Sequence, residues 1–440
     1  MKISLILILI VIISHCSFDT KTGIWKNVNE INYEKTKRFE GFETLFEKER
    51  KFDKIIKPSS SLKILLASPK INLKWTDEYY QNSNNLENFN YKNSNDLIFT
   101  SQKLTRYKTN DNIFFDGENI ITTDIKGNII VYSLTNQQII FKYNFYKKKF
   151  KKIEKDLNIY IQDKIIYVGD NLGYLYSLDF INKKLLWAKN YKVPFRSNLK
   201  IINEKLILAD NNNMIYFINK MNGERIKFIP TEESIIKNNF ISSLATQGDT
   251  LFYLNTYGSL YSLSANADIK WFVNLNDSIV INPGNLFYSN PIVIYDDKII
   301  ILTNQNLYIL DKNSGSTISK SSISSKIQPI VSNKYLFLIT ENNLLVCIDL
   351  DNNEKIYSVK ISQQIANFLE TKSRPIFIKT FSVLNNRLFI FLKNSYVVKF
   401  SINGVIEDIF KLPKKINSLP IYINKSIVYL NNKNKVIIFD

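Results

Sequence analysis

Gly173-Tyr174-Leu175-Tyr176-Ser177-Leu178 and Gly258-Ser259-Leu260-Tyr261-Ser262-Leu263 are two copies of one pattern, a glycine turn followed by a strand that reads Tyr-x-aliphatic. Six weaker copies have their anchor residue at Tyr132, Tyr216, Tyr308, Val346, Val398 and Ile437. Successive anchors are separated by 44, 40, 45, 47, 38, 52 and 39 residues. A repeat of roughly 40–50 residues that holds several short strands is typical of a β-propeller blade. We therefore predict an all-β fold, an eight-bladed β-propeller of four-stranded antiparallel blades.

A second motif upstream of most anchors supports this prediction. It consists of an aliphatic strand, a tight polar turn and another aliphatic strand, as in residues 290–302, 329–338 and 420–430. Short β-branched and aromatic runs interrupted by Asn, Asp and Gly are typical of hairpins. The alternative is a β-sandwich with accidental periodicity, and eight matching units argue against it.

The pattern also suggests how the ring closes. Trp187 and Trp271 each lie on the strand after an anchor, whereas the eighth anchor, Ile437, is followed only by residues 438–440. Trp75, in the stretch Ile71-Asn72-Leu73-Lys74-Trp75, has a matching context. We expect this N-terminal strand to complete the last blade, so that deletion of residues 68–78 would destabilise the whole ring.

The first fifteen residues resemble a secretory signal peptide. Lys2 is followed by an apolar run of eleven residues, Ile3 to Ile13, which is too short for a membrane span of about 20 residues. Cys16 directly after this region resembles the lipidated cysteine of a bacterial lipoprotein, although His15 stands where a small residue is usual. We therefore expect a lipoprotein-type signal peptide at 1–15 and lipidation of Cys16. An uncleaved anchor with a structural cysteine stays open.

Three regions follow from this organisation. Residues 16–65 are a polar leader, in which 34–55 is predicted to be a charged helix with Phe39, Phe42 and Phe46 near one face. The leader is either a tether from the membrane to the propeller or a helix that binds a partner. Residues 66–440 are predicted to be the propeller.

The net charge of +18 and the pI near 9.4 leave three interpretations of the surface. These are solvated loops, contact with an anionic membrane and nucleic-acid binding. Lysine is spread over many turns, its densest run lies at residues 147–152, and the abundance of Lys, Asn and Ile also fits a codon-usage bias. No zinc-finger spacing or RNA-recognition signature is present. We favour solvated loops and predict no nucleic-acid partner.

The sequence lacks the side chains of common catalytic sites. Its only histidine is His15, so the mature chain would have no histidine general base, Ser-His-Asp triad or histidine metal ligand. Cys347 lies within an apolar run, where a buried small side chain is the simplest interpretation. No glycine-rich phosphate loop follows a strand, and acidic pairs such as Asp296-Asp297 fit solvated turns. We predict no enzyme, no cofactor and no metal site.

Residues 66–440 resemble the quinoprotein-like eight-bladed propellers. Gly173 to Asp179 with Trp187, and Leu307 to Gly315, keep parts of that group's blade pattern. The group contains longer enzymes, the quinone-dependent alcohol dehydrogenases, in which adjacent cysteines, a catalytic Asp and calcium ligands surround a central cofactor. The chain has no adjacent cysteines, which favours the non-enzymatic branch.

Within that branch the chain resembles the BamB family, lipoprotein scaffolds of the outer-membrane β-barrel assembly machinery. The resemblance rests on the Cys16 signal, the leader, the eight repeats and an opening that reads Cys16 to Trp25. It implies a lipid-anchored scaffold at the periplasmic face of the outer membrane. The implied partners are the periplasmic repeats of the barrel-assembly protein and unfolded barrel precursors.

The loop Val193-Pro194-Phe195-Arg196-Ser197-Asn198 falls where that family has a docking loop. The resemblance thus implies Phe195 as an apolar anchor and Arg196 as a cationic contact for the partner. Ordinary packing of this loop on its own blade is the alternative. At the level of function, a quinone-dependent periplasmic oxidoreductase and a propeller that binds envelope polysaccharide stay open.

Overall fold

The structure, a computed structural model, describes residues 16–19, 24–27, 52–59, 62–233, 240–276 and 287–440. The predicted signal peptide 1–15, the side chain of Cys16 and residues 34–51 of the predicted helix lie outside the described residues. Residues 52–55, the end of that predicted helix, are not helical. In the described part of the chain, no helix is long and apolar enough to cross a membrane.

The chain divides into two compact units, 1–50 and 51–440. In the first unit, strands Cys16–Asp19 and Ile24–Asn27 pair as an antiparallel hairpin. The second unit contains eight antiparallel sheets, which confirms the predicted eight-bladed propeller. The strands of blades 1 to 4, each in order from the centre outward, are Thr109–Phe115, Asn119–Asp124, Asn128–Ser133 and Gln138–Asn144; Leu157–Gln162, Ile165–Asp170, Tyr174–Asp179 and Lys184–Asn190; Lys200–Ile202, Lys205–Ala209, Ile215–Asn219 and Arg225–Ile229; Ser243–Gln247, Thr250–Leu254, Ser259–Ser264 and Ile269–Asn274.

Blades 5 to 8 follow the same order. Their strands are Val293–Tyr295, Lys298–Leu302, Leu307–Asp311 and Thr317–Ser321; Ile330–Ser332, Tyr335–Ile339, Leu344–Asp349 and Glu354–Lys360; Ile378–Leu384, Arg387–Leu392, Tyr396–Ser401 and Ile406–Lys411; Ile421–Ile423, Ser426–Leu430, Val436–Phe439 and Leu97–Thr100. A short strand, Asn88–Phe89, adds in parallel to the central edge of blade 7. The described helices are a 3-10 turn, Lys148–Phe150, and an α-helix, Ile361–Phe368.

The core lies between the blades rather than inside any one of them. Each sheet is covered on both faces by its neighbours, so its middle strands are apolar on both sides. All six residues of Asn119–Asp124 and of Leu344–Asp349 are buried, whereas most of the fourth strand Lys184–Asn190 is exposed. Stability therefore depends on contacts between consecutive blades.

A β-bulge marks the same position in every blade. Where the third strand pairs with the fourth, the register shifts once, for example between Ser177 and Leu178 in blade 2. Seven anchors lie one residue before this shift; they are Tyr176, Tyr216, Tyr261, Tyr308, Val346, Val398 and Ile437. In blade 1 the shift follows Val131, so the equivalent residue is Ile130 and the anchor at Tyr132 is wrong by two positions. A two-residue slip keeps the side chain on the same face of the strand, which is why the periodicity still held.

The strand predicted to complete the last blade, Ile71 to Trp75, is the wrong one. The fourth strand of blade 8 is Leu97–Thr100, which pairs with Val436–Phe439 and carries the same register shift as the other blades. Trp187 lies opposite Ser177 and Trp271 opposite Ser262, just before the shift. At the corresponding place in blade 8, Phe99 lies opposite Ile438. The matching aromatic residue is therefore Phe99, and a search for tryptophan alone misses it.

Candidate functional site

Residues 70–91, here called the axial segment, run along the central side of the ring and contact the first strand or first turn of every blade. Trp75 exchanges two main-chain hydrogen bonds of 2.7 Å with Phe115 of blade 1. The remaining main-chain bonds, from blades 2, 4, 5, 7 and 8, are Ile161 N–H to Thr76, Thr246 to Asn82, Ile294 to Ser83, Asn385 to Phe89 and Asn424 to Asn72, at 2.7–3.0 Å. Because the first strand of each described sheet has no partner from its own blade on its central side, this segment supplies partners there, including the strand Asn88–Phe89 on blade 7.

Asparagine side chains of the axial segment complete this set of bonds. The amide of Asn84 donates to the carbonyls of Leu244 and Ile292, each at 2.9 Å. The side chain of Asn85 both donates to and accepts from the main chain of Val331 in blade 6, again at 2.9 Å. The expected destabilisation of the whole ring by deletion of residues 68–78 stays a prediction, but the physical reason for it changes. These residues brace the centre of the ring instead of closing its last sheet.

A buried ion pair fixes the segment to blade 3. The ammonium of Lys200 donates to the carboxylate of Asp77, and their side chains are 0% and 3% exposed. Lys200 also donates to the carbonyl of Gln81 at 2.8 Å. Both charges thus have a partner inside the ring, where an isolated charge would be strongly unfavourable.

Glu78, the next residue, is a carboxyl group whose pKa is raised by its surroundings. Burial and the nearby carboxylates of Asp156 and Asp77 raise its pKa to about 8, from an ordinary value of 4.5. The amide of Asn112 donates to its Oε1 at 2.8 Å, which acts in the opposite direction. A carboxyl group with such a pKa is largely protonated at neutral pH, so it can donate a hydrogen bond into the cavities it lines.

Two cavities meet at Glu78. One has a volume of about 590 Å³, opens among the loops of blades 1 to 4 and is lined by Glu154, Asp156, Asn171, Arg196 and Asn211 among others. The other has about 220 Å³ and lies beside the axial segment towards blades 5 to 8, with Tyr79, Gln328 and Lys379 in its wall. Burial lowers the pKa of Lys379, whose ammonium donates to the carbonyl of Asn417 at 2.6 Å.

Phe195 is part of the hydrophobic core. Its side chain is 4% exposed and packs against Tyr191 and Tyr216, with ring centroids 5.5 and 6.0 Å away. Its N–H donates to the carbonyl of Asp170 at 3.0 Å. Phe195 therefore packs between blades 2 and 3.

Arg196 is also buried, with 7% of the residue exposed at the edge of the larger cavity. Its Nε donates to Oδ1 of Asn211 at 2.7 Å and its Nη1 donates to Oγ1 of Thr256 at 3.4 Å. Burial lowers its pKa, while Tyr253 and Asp210 act in the opposite direction. The partner-binding roles of Phe195 and Arg196 stay predictions, and in this structure both side chains hold blades together.

Sequence reasoning did not single out Asp77, Glu78 or Lys200. Lys200 begins the run Lys200-Ile201-Ile202 and reads as a surface residue, yet its side chain is fully buried. One signal could have indicated the site. In the stretch Trp75-Thr76-Asp77-Glu78-Tyr79-Tyr80, two acidic side chains lie among three aromatic ones. Such a mixture is unusual for a solvated tether.

The centre of the ring does not fit a quinone held with calcium. Over the described residues, no three His, Cys, Asp or Glu side chains converge in a way that could hold a metal ion. Main chain of the axial segment covers the central side of the first strands. Cys347 lies buried in blade 6, and burial raises the pKa of its thiol.

Comparison with known proteins gives three findings. The family model described as outer membrane protein assembly factor BamB matches residues 151–359. An uncharacterized protein of Rickettsia conorii is 27% identical over 269 residues, and this match covers 57% of the chain and 60% of the relative. The chain thus spans about 60% of the length of that curated relative.

Two solved structures illustrate the likeness of the fold. BamB from Moraxella catarrhalis is 13% identical, with a TM-score of 0.61 over 79% of this chain and 99% of that one. Quinohemoprotein alcohol dehydrogenase from Comamonas testosteroni is 10% identical, with a TM-score of 0.63 over 83% of this chain and 80% of that one. Since a BamB and an alcohol dehydrogenase share this ring, structural likeness shows the architecture alone.

Proposed function

We propose that this chain, an eight-bladed propeller of the BamB-like PQQ-repeat type, is a non-catalytic scaffold lipoprotein of the outer-membrane β-barrel assembly machinery. It would lie at the periplasmic face of the outer membrane and bind the periplasmic domains of the barrel-assembly protein. The observation that carries the proposal is the BamB family match over 151–359, which spans blades 2 to 6.

The axial segment on the central side of the ring supports a scaffold over a quinone-dependent oxidoreductase. A cofactor-bearing propeller needs an open axis and converging ligands, and here the axial segment bonds to the first strands instead. A ring braced from inside is a rigid platform, and rigid platforms present recognition loops in fixed positions. The loops of blades 1 to 4 around the larger cavity are the candidate display surface.

The test is affinity purification of the full chain from membranes after mild cross-linking, followed by mass spectrometry. The tag belongs in the exposed turn Gly248-Asp249, because a Cβ at Gly248 would meet no atom within 4 Å. Recovery of a large outer-membrane protein with periplasmic repeats is the expected result. Capture of an inner-membrane complex, or of no such protein, would contradict the proposal.

Loop variants must separate binding from folding. Arg196 is buried, so its replacement changes stability as well as any contact. Lys192, an exposed residue of the same loop, gives the cleaner variant, Lys192→Glu. Reduced capture at an unchanged melting temperature would place the partner on this loop, whereas unchanged capture would move the search to another face of the ring.

A further inference from the structure

One face of the ring carries a continuous band of unpaired positive charge. In each antiparallel blade, the turn between the second and third strands and the loop to the next blade lie on the same face. On this face, the connections from blade 6 round to blade 2 comprise residues 361–377, 393–395, 411–419, 431–435, 101–108, 125–127 and 145–156. Besides the buried Lys155, they hold seventeen Lys or Arg against three acidic residues, Glu370, Glu154 and Asp156. These cations, here called the basic crescent, are Lys372, Arg374, Lys393, Lys411, Lys414, Lys415, Lys433, Lys435, Lys103, Arg106, Lys108, Lys126, Lys147, Lys148, Lys149, Lys151 and Lys152.

Hydrogen bonds join the neighbouring connections into one surface. They run from Lys393 N–H to the carbonyl of Phe377, from Ile416 N–H to Ser395 Oγ, from Asn432 N–H to Lys415, from Leu104 N–H to Asn434, from Ile125 N–H to Lys108 and from Lys126 Nζ to Lys151, at 2.8–3.5 Å. The crescent is therefore continuous in space although its parts are far apart in sequence.

The opposite face of the ring carries a different distribution of charge. A codon-usage bias alone would not produce this difference between the two faces. The turns of the opposite face mix both signs of charge and pair them, as in Lys164 with Asp116, Lys298 with Asp297 and Lys334 with Asp349. Among the described side chains of the basic crescent, none forms an ion pair. Surplus positive charge is thus concentrated on one face, where it creates a field directed at an anionic partner.

Exposed apolar side chains lie at both ends of the crescent. Beside Lys372 and Arg374, the end of the helix Ile361–Phe368 presents Phe368 and Leu369, which are 45% and 50% exposed, and Phe377 is 70% exposed. At the other end, Ile153 follows Lys152 and is 43% exposed. Lysine and arginine next to protruding Phe, Leu and Ile are typical of protein surfaces that lie on anionic lipid. A nucleic acid would instead favour aromatic rings free to stack on its bases, whereas Tyr146 and Phe150, which lie among the cations, pack on each other, and Phe150 also packs on Tyr174.

We propose that the basic crescent docks this face of the ring onto a bilayer of anionic phospholipid, with Phe368, Leu369, Phe377 and Ile153 at the lipid interface. This surface lies on the same face as the loops of blades 1 to 4 around the larger cavity, and it adjoins them at Ile125 and Glu154. It would orient the ring on the membrane rather than merely tether it.

The test uses the full chain with Cys16→Ser and one labelled cysteine. Leu369→Cys reports on the proposed face and Met221→Cys, at a residue 67% exposed in a turn of the opposite face, is the matched control. Cys347 is buried and does not compete for the label. Each protein carries an environment-sensitive dye and is mixed with vesicles of phosphatidylcholine, with or without phosphatidylglycerol. The N-terminal apolar run is present in every sample, so only the dependence on lipid charge is informative.

The expected result is a blue shift at position 369, and none at 221, with anionic vesicles only. About 0.5 M salt should abolish it, because that ionic strength screens charges beyond a few ångströms. Lys147, Lys148, Lys151 and Lys152, all changed to Gln, should weaken partition at least roughly tenfold. The control variant, with Lys74, Lys183, Lys184 and Lys425 changed to Gln, loses the same charge from the opposite face and should change it less than about twofold.

Circular dichroism spectra of the two quadruple Lys→Gln variants are compared with that of the parent protein to check that both remain folded. Equal weakening by the two variants, equal shifts at the two dye positions or a shift independent of lipid charge would each overturn the proposal. Binding of DNA at physiological salt without binding of anionic vesicles would also overturn it, in favour of a nucleic-acid partner.

Discussion

Lys200 and Asp77 form a fully buried ion pair across 123 positions of sequence, one from the first strand of blade 3 and the other from the axial segment. Removal of one partner leaves the other charge without compensation in a dry site. We expect Asp77→Asn to reduce the free energy of unfolding by about 3–5 kcal/mol, measured by denaturant titration. The double variant Asp77→Asn with Lys200→Met should recover part of that loss. Lys227→Met, which breaks an exposed pair with Asp268, should leave stability unchanged.

Asn85 tests whether the axial segment braces the ring through hydrogen bonds. Its side chain forms hydrogen bonds with both the N–H and the carbonyl of Val331. Asn85→Ala therefore leaves these two buried main-chain groups without their hydrogen-bond partner. We expect a loss of about 2–4 kcal/mol in unfolding free energy. Asn82→Ala is the control, because Asn82 is exposed and its recorded bond uses the main-chain carbonyl. Equal effects of the two substitutions would show that the bracing is not carried by the Asn85 side chain.

Glu78 predicts a dependence of stability on pH. Since its pKa is about 8 in the folded protein and near 4.5 when unfolded, the folded state binds the extra proton between these values. This stabilisation is complete below pH 4.5 and is lost as the pH rises towards 8. Glu78→Gln removes the titration and keeps an acceptor for Asn112. The variant should match the wild type near pH 5 and exceed it by roughly 1–2 kcal/mol at pH 8, because the cavity screens part of the shift. Parallel urea midpoints across this range would contradict the prediction.

Gly223 tests the contact between blades 2 and 3. A Cβ there would lie 2.3 Å from the ring of Trp187, whose Nε1 donates to the carbonyl of Lys220 at 2.9 Å. Both glycines have a positive φ, +71° at Gly223 and +55° at Gly248. A Cβ at Gly248, however, would meet no atom within 4 Å. Both Gly→Ala variants therefore carry backbone strain, and only Gly223→Ala adds a clash. We expect it to be less stable than Gly248→Ala by about 1–3 kcal/mol, measured by thermal unfolding.

Arg196→Ala should destabilise the ring rather than act only on a partner. Its guanidinium holds Asn211 and Thr256, from blade 3 and blade 4. The loss of these bonds from a buried site should reduce the unfolding free energy by about 1–3 kcal/mol. An unchanged melting temperature together with reduced partner capture would instead assign Arg196 to the interface.

Much of the architecture could be predicted because a propeller repeats its local chemistry. Seven of the eight anchors lie at one position relative to the bulge, and the exception, Tyr132, is two residues from Ile130 on the same face of its strand. The closing strand was misplaced because Trp75 resembles Trp187 in type. The true match, Phe99, differs from Trp187 in residue type. The two occupy the same position in the pairing of the third and fourth strands.

The centre of the ring could not be predicted for a different reason. The axial segment does not repeat, and its contacts join residues far apart in sequence, as Asn84 does with Leu244 and Ile292. Burial of Phe195 and Arg196 likewise depends on how blades 2 to 4 come together. Periodicity predicts a strand but does not show which loop residue ends in the interior.

The position of Leu97–Thr100 constrains the order in which the ring can be completed. Ser101 accepts a hydrogen bond from the N–H of Val436, 335 positions later. Leu97–Thr100 is thus synthesised long before the other three strands of blade 8, and this sheet can form only when nearly the whole chain has been made. Until then, the apolar edge of the strand and the inner ends of the blades are open to other chains. Contacts of such long range make folding slow. The newly made chain would therefore depend on being kept from aggregation until blade 8 arrives, and a nascent chain halted before residue 436 should be captured by chaperones rather than accumulate as a seven-bladed ring.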